Sequence, residues 1–317
     1  MKHITATDMI SVWEGRQDPE PNSVRWHQLI QEISLDKPAG VALLGFACDA
    51  GVSRNQGRVG AAAGPHALRK QLMNLPWLQL SPLYECGDIL CVEDALEQAQ
   101  LAFAEQVTQL LDQGHFPIGL GGGHEVAFAS WSGLSSHLKK IDTAPRIGII
   151  NFDAHFDLRD PNYQPTSSGT PFAQIAEVCA HHHWTFEYAC LGVSRMSNTP
   201  ALFERADQLK VCYQEDLQMT AKDLPDLHAQ LGQFMSQCDH LYLTIDLDVF
   251  PAAQAPGVSA PAARGVSLEV IEPLLMQIRD SGKLRLMDLA ELNPEFDQDA
   301  RTARLAARLV HQITLNR

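Results

Sequence analysis

Short apolar runs recur along the chain and are separated by stretches with helical spacing. The runs lie at Gly40–Ala47, Phe116–Leu120, 146–152, 188–193, 240–247 and 284–290, and they are rich in Leu, Ile and Val. Runs of that length and composition read as strands buried on both faces of a parallel sheet. Between them the spacing predicts a helix from Pro65 and a long helix over about 92–113. Leu96, Phe103, Val107, Leu110 and Leu111 give the long helix an apolar face, and Gly114 stops it. Further helices are predicted from near Glu125, around 171–182, and from about Asp299 to Gln312. A glycine-rich loop is expected at 51–64. This β/α rhythm predicts an α/β fold with a largely parallel sheet covered by helices on both faces. No linker, repeat or charge block divides it, so residues 1–317 read as one domain, with 1–39 an N-terminal extension packed on it.

Composition narrows the picture by exclusion. The 317 residues carry a formal net charge of −14, which argues against a nucleic-acid partner. No apolar segment approaches the length of a membrane span, and the first residues contain no apolar core of a secretory signal. The seven cysteines are scattered and form no paired CxxC sets, which predicts a reduced, cytoplasmic protein. The tract His181-His-His183 falls near a predicted helix end and reads as a solvated surface feature.

Acidic and imidazole side chains follow three of the strands. They are His124 after Gly121-Gly-Gly, Asp153-Ala-His155-Phe-Asp157, and Asp246-Leu-Asp248. Residues two apart on an extended chain share a face, so each motif should project its side chains together. In open α/β sheets ligands bind beyond the carboxyl ends of the strands, where all three motifs fall. Carboxylates placed there are costly unless a positive charge neutralises them, and no Lys or Arg lies within the motifs. The absence of thiolates and the presence of four carboxylates favour a pair of hard or borderline divalent ions such as Mn²⁺. Two such ions can lower the pKa of a shared water, which makes hydrolysis the natural reaction. Singly, an Asp-x-Asp or a histidine is more often a loop, cap or packing feature; it is their joint occurrence at three strand ends that points to metal.

Gly-Gly-Gly-His124-Glu, Asn-Phe-Asp153-Ala-His155-Phe-Asp157, Thr-Ile-Asp246-Leu-Asp248-Val-Phe and Glu291-Leu-Asn-Pro resemble the successive motifs of the arginase (ureohydrolase) family. The resemblance spans roughly residues 40–312. It implies a three-layer α/β/α sandwich around a mainly parallel eight-stranded sheet, with two Mn²⁺ per subunit. By position it implies that His124, Asp153, Asp157 and Asp246 bind one ion, and that Asp153, His155, Asp246 and Asp248 bind the other. It further implies that Asp157 orients the attacking hydroxide and relays its proton, and that Glu291 pairs with an amidine-type cation of the substrate.

The loop after the second motif reads Ser167-Ser168-Gly169, with Ser168 where guanidine-hydrolysing members carry a histidine. Serine does not titrate near neutral pH. Val12-Trp-Glu-Gly-Arg16-Gln-Asp18, the 51–65 loop, Leu191–Thr199 and Ala255–Gly265 resemble the formimidoylglutamase branch of the family instead. That likeness implies a small-molecule substrate, N-formimidoyl-L-glutamate, with a cationic amidine and two carboxylates. Arg54, Arg58 and Arg195 are the candidates to bind the carboxylates, with Ser168 beside them. The alternatives are a ureohydrolase acting on a guanidine, or a non-catalytic metal-containing binding protein on the same fold. A homo-oligomer is compatible with every one of these readings.

Overall fold

The computed structural model describes residues 2–315. Its strands are β1 (Lys2–Ile4), β2 (Gln31–Glu32), β3 (Val41–Ala47), β4 (Leu83–Leu90), β5 (Phe116–Leu120), β6 (Ile147–Phe152), β7 (Glu187–Val193), β8 (Cys212–Glu215), β9 (His240–Asp246) and β10 (Leu284–Ala290). Its α-helices are α1 (Ala6–Ile10), α2 (Trp26–Leu29), α3 (Ala50–Arg54), α4 (Gly64–Leu72), α5 (Leu96–Asp112), α6 (Val126–Leu138), α7 (Pro171–His182), α8 (Pro200–Gln208), α9 (Leu224–Ser236), α10 (Leu268–Asp280) and α11 (Arg301–Thr314).

All the strands join one sheet of order β1-β4-β3-β5-β10-β9-β6-β7-β8, with β2 added beside β4. From β4 to β8 the pairings are parallel, which makes the expected eight-stranded parallel array. The N-terminal segment enlarges it: β1 pairs antiparallel with β4, and β2 pairs parallel with it. Side chains alternate between two cores, as a period of two requires. Val41 and Leu43 enter one core beneath α4, α9, α10 and α11; Ala42, Leu44 and Phe46 enter the other, beneath α5, α6 and α7. The result is a three-layer α/β/α sandwich.

The structure departs from the pattern-based expectation in a few places. β4 escapes notice because Glu85 and Asp88 interrupt its apolar run, although both are buried. Half of the expected 51–64 loop is helical: α3 forms over Ala50–Arg54, and a 3-10 turn follows at Ala61–Ala63. α5 starts at Leu96 because Glu93 adopts a left-handed conformation and Ala95 closes a turn onto Val92. α11 starts at Arg301, after two left-handed residues, Asp299 and Ala300. The His181–His183 tract ends α7, with His183 as the left-handed cap. Among the described residues no helix is long and apolar enough to cross a membrane, and all seven cysteines are unbridged.

Crossover connections place β5, β10, β9 and β6 side by side. The chain leaves β5 and re-enters the sheet at β6, with β9 and β10 filling the gap. That strand-order reversal opens a crevice at the carboxyl ends. Four segments far apart in sequence therefore meet at one sheet edge.

Candidate metal centre

His124 follows β5 on a loop that presses against the end of β3. The Gly123 N–H donates to the Cys48 carbonyl at 2.9 Å, and a Cβ on Gly122 would lie 1.7 Å from that same oxygen. Only glycine permits so close an approach. The His124 ring is buried, with Nε2 at 3.0 Å from the Thr244 hydroxyl. Nδ1 then faces Asp157 at 2.9 Å, Asp153 at 3.1 Å and Asp246 at 3.3 Å.

The other two motifs converge through turns, which corrects the expectation that strand alternation would align them. β6 ends at Phe152, and the His155 N–H donates to Asp153 Oδ1 at 2.7 Å. Asp157 holds a left-handed backbone (φ 48°) that turns its carboxylate back toward His124. β9 ends at Asp246, and Leu247–Val249 forms a 3-10 turn in which the Asp248 N–H donates to Asp246 Oδ1 at 2.8 Å. Strained backbone at such positions is a feature of functional sites. His155 Nδ1 lies 3.0 Å from Asp248 and 3.5 Å from Asp153.

Two ligand groups result: His124, Asp153, Asp157 and Asp246, then Asp153, His155 and Asp248. Asp153 belongs to both. Asp246 falls only in the first, although its expected role was to bridge the two.

These donors fit a cationic group. Three carboxylate oxygens surround His124 Nδ1, yet none meets it with hydrogen-bond alignment. With Nε2 engaged by Thr244, Nδ1 is the ring nitrogen left facing the carboxylates, and that many buried carboxylates are stable only if positive charge sits among them. Protonation shows the same demand. Burial raises Asp157 to about 6, with Asp153 adding to the shift, and burial lifts Asp246 well above the usual carboxylate range with help from Asp248. Burial also lifts Asp248, though His155 pulls the other way. Burial would raise Asp153 too, but His124 and His155 hold it low. Burial opposes a charge on either histidine; the facing aspartates outweigh it and raise both well above the ordinary value.

Glu291 closes the group from β10, with a left-handed backbone (φ 67°). Its Oε1 accepts from the His124 N–H at 3.0 Å, whereas Oε2 is buried without a partner. Burial, and then Glu125, push its pKa well up.

A cavity of about 320 Å³ opens over these residues. Its lining includes His124, His155, Asp157, Asp246, Asp248 and Glu291, together with Asn55, Arg58, Arg159, Ser168, Ser197 and Asn198. Its size suits a small molecule. Of the expected carboxylate binders, only Arg58 lines it. Arg58 donates to the Ser259 and Val258 carbonyls at 2.9 and 2.6 Å and stacks on Phe296. Arg54 is turned away, bound to Asp94, Glu97 and Thr166. Arg195 forms a bidentate pair with Glu215 at 2.6 Å and lies outside the cavity lining. Ser168 is in place and accepts from Asn55 Nδ2 at 3.2 Å. Sequence reasoning missed Arg159, whose guanidinium makes no hydrogen bond or ion pair with the described residues. Its only signal was its place two residues beyond Asp157.

The arginase family model matches residues 39–315. A formimidoylglutamase of Aeromonas salmonicida (strain A449) is 57% identical, covering 96% of this chain and 97% of its own length. One of Ralstonia nicotianae is 54% identical over 96% and 94%. The crystal structure of formimidoylglutamase from Bacillus subtilis superposes with a TM-score of 0.83 at 20% identity, covering 95% of this chain and 94% of that one. A Trypanosoma cruzi formiminoglutamase structure with Mn²⁺₂ gives 0.75 at 24% identity, covering 87% and 93%. With the family model spanning most of its length and relatives this similar over nearly all of it, the chain belongs to the arginase family.

Proposed function

We propose that this chain hydrolyses N-formimidoyl-L-glutamate to L-glutamate and formamide, using two manganese ions. The observation that carries the reading is its full-length likeness to formimidoylglutamases. The cavity supports it by the charges in its lining. Its lining combines carboxylates, Glu291 among them, with two arginines, which suits a molecule that carries both a cationic amidine and carboxylates.

His124, Asp153, Asp157 and Asp246 would hold one ion; Asp153, His155 and Asp248 would hold the other, with Asp246 adjacent. The two ions supply Lewis acidity that makes water a competent nucleophile near neutral pH. Glu291 Oε2, free of internal partners, accepts from the amidinium N–H groups and orients the formimidoyl carbon. Water oxygen adds to that carbon and becomes the oxygen of formamide, while the bond from carbon to the glutamate nitrogen breaks. Asp157 takes up a proton from the attacking water and passes it to the departing amine. Ser168 replaces a titratable group on the cavity wall and leaves the proton transfer to Asp157. Arg159 provides an unpaired guanidinium for a substrate carboxylate, with Arg58 beside it. Unbridged cysteines favour a reducing, cytoplasmic setting.

The test is a product assay with manganese-supplied protein. Equal amounts of formamide and glutamate are expected. Release of ammonia with N-formylglutamate would overturn the bond assignment, and preference for agmatine or arginine would overturn the substrate. In the same assay Arg159→Gln should raise KM about tenfold or more, as expected for losing a charged hydrogen bond to a carboxylate. An unchanged KM would remove Arg159 from the binding site.

A further inference from the structure

The cavity-lining residues Arg159 and Ser168 stand at either end of one loop. Its base is closed by the Arg159 N–H donating to the Gly169 carbonyl at 2.9 Å. At one end Asp160 pairs with Arg205 of α8 at 2.8 Å. At the other, Thr166 meets the Arg54 fork. One Arg54 nitrogen donates to the Thr166 carbonyl at 3.1 Å, and the Thr166 hydroxyl donates to Glu97 at 2.6 Å. Arg54 also binds Glu97 at 2.6 Å and Asp94 at 2.8 Å, so α3 and the start of α5 grip the loop together. The next residue on α3's side, Asn55, donates to Ser168 itself. A Cβ on Gly169 would sit 2.8 Å from the Arg159 side chain and 3.1 Å from Asn55, so the shelf beneath Arg159 is tightly packed.

From this we infer that Arg54, Glu97 and Thr166 form a clamp that positions the 159–169 loop, and through it the substrate contacts of Arg159 and Ser168. Arg54 is thus a positioning residue that does not touch substrate. A lone exposed ion pair would hold such a loop weakly. Here a single planar fork, only 16% exposed, engages two carboxylates and a loop carbonyl at once, and Glu97 also accepts from the loop hydroxyl. Arg54 in turn holds the Glu97 carboxyl down to about 2, so this acceptor is ionised across the working pH range. The clamp lies outside the metal cluster, which predicts an effect on substrate affinity separate from metal binding.

The inference rests on the proposed function for the substrate contacts of Arg159 and Ser168 and for the ligand whose KM is read, whereas the hold on the loop stands on the contacts alone. Arg54→Met, which removes the fork, and Thr166→Val, which removes only the loop hydroxyl, should be compared with wild type as manganese-loaded full-length proteins. Hydrogen–deuterium exchange should speed up in segment 159–169 and not in the strands. KM for N-formimidoyl-L-glutamate should rise about tenfold in Arg54→Met and less in Thr166→Val, with kcat and manganese content unchanged. Thr166→Ser keeps the hydroxyl and should match wild type in both readouts. Wild-type exchange and KM in both variants would overturn the clamp, as would a fall in kcat at unchanged KM. If wild-type protein does not turn over N-formimidoyl-L-glutamate, the substrate reading fails by itself, and loop exchange alone decides the clamp.

Discussion

Two buried charge clusters sit in this sheet, and they solve the same electrostatic problem in opposite ways. In one, Arg69 of α4 lies fully buried against β4. It binds Glu85 through two nitrogens at 2.8 Å and Asp88 at 2.6 Å, while Trp13 donates to Glu85 at 2.8 Å. In the other, four aspartates and two histidines gather at the ends of β5, β6 and β9, and among the described residues no Lys or Arg forms an ion pair with them. The first cluster carries its own cation and ties the N-terminal segment to the sheet. The second has left its cation to be supplied. A buried charge is tolerated when it is paired, so the difference separates a structural cluster from a chemical one without reference to any relative.

The largest expected effect comes from removing one buried negative charge from the second cluster. Asp246→Asn keeps the acceptor for the Asp248 N–H but should lower turnover by at least about 10³-fold, the scale of losing a principal electrostatic element. Metal analysis should show loss of bound manganese. Stripped of metal, the variant should melt at or above the temperature of stripped wild type, because burial and Asp248 already disfavour the Asp246 charge. A metal-free variant markedly less stable than metal-free wild type would break the contrast between the clusters.

Arg69→Met should do the reverse. Leaving Glu85 and Asp88 buried without their cation costs about 3–5 kcal/mol, read as a shift in the denaturant midpoint. The fraction that remains folded should retain its metal stoichiometry and its KM. Loss of manganese at wild-type stability would mean that the two clusters are not separate.

The smallest effect concerns pH. In metal-free protein the folded-state pKa values of His124 and His155 lie above 6.5, and that of Asp157 rises from 3.8 to about 6. A raised folded pKa gives stability that is complete below the unfolded value and is lost as pH climbs through the folded one. Asp157 loses its share between about pH 4 and 6, and the histidines lose theirs above about 6.5. Manganese binding replaces the protons. The melting-temperature gap between loaded and chelated protein should therefore widen from about pH 5 to about pH 8. A gap that stays constant or narrows would contradict the charge accounting at the cluster.

Much of this was legible in the chain. Apolar runs end where His124, Asp153, Asp246 and Glu291 begin, and parallel strands buried on both faces advertise themselves by composition. β4 was not legible, because Glu85 and Asp88 break its pattern and their partner Arg69 lies on a separate helix. The arginines show the same limit. Arg54 and Arg195 follow strands at the correct sheet edge, but the acids that claim them, Asp94, Glu97 and Glu215, are placed by other elements. Arg159 follows Asp157 in an ordinary polar stretch and reaches the cavity only because the loop closes on Gly169.

By itself, then, the sequence determined the layered α/β fold and the chemical identity of the cluster, because hydrophobic period and residue type act locally. Tertiary structure decided which strands became neighbours, how turns rather than strand alternation aim Asp157 and Asp248, and which arginines line the cavity. Those outcomes depend on pairings between distant segments. A guanidinium binds whichever carboxylate the fold brings within about 3 Å, and separation along the chain carries no information about that distance.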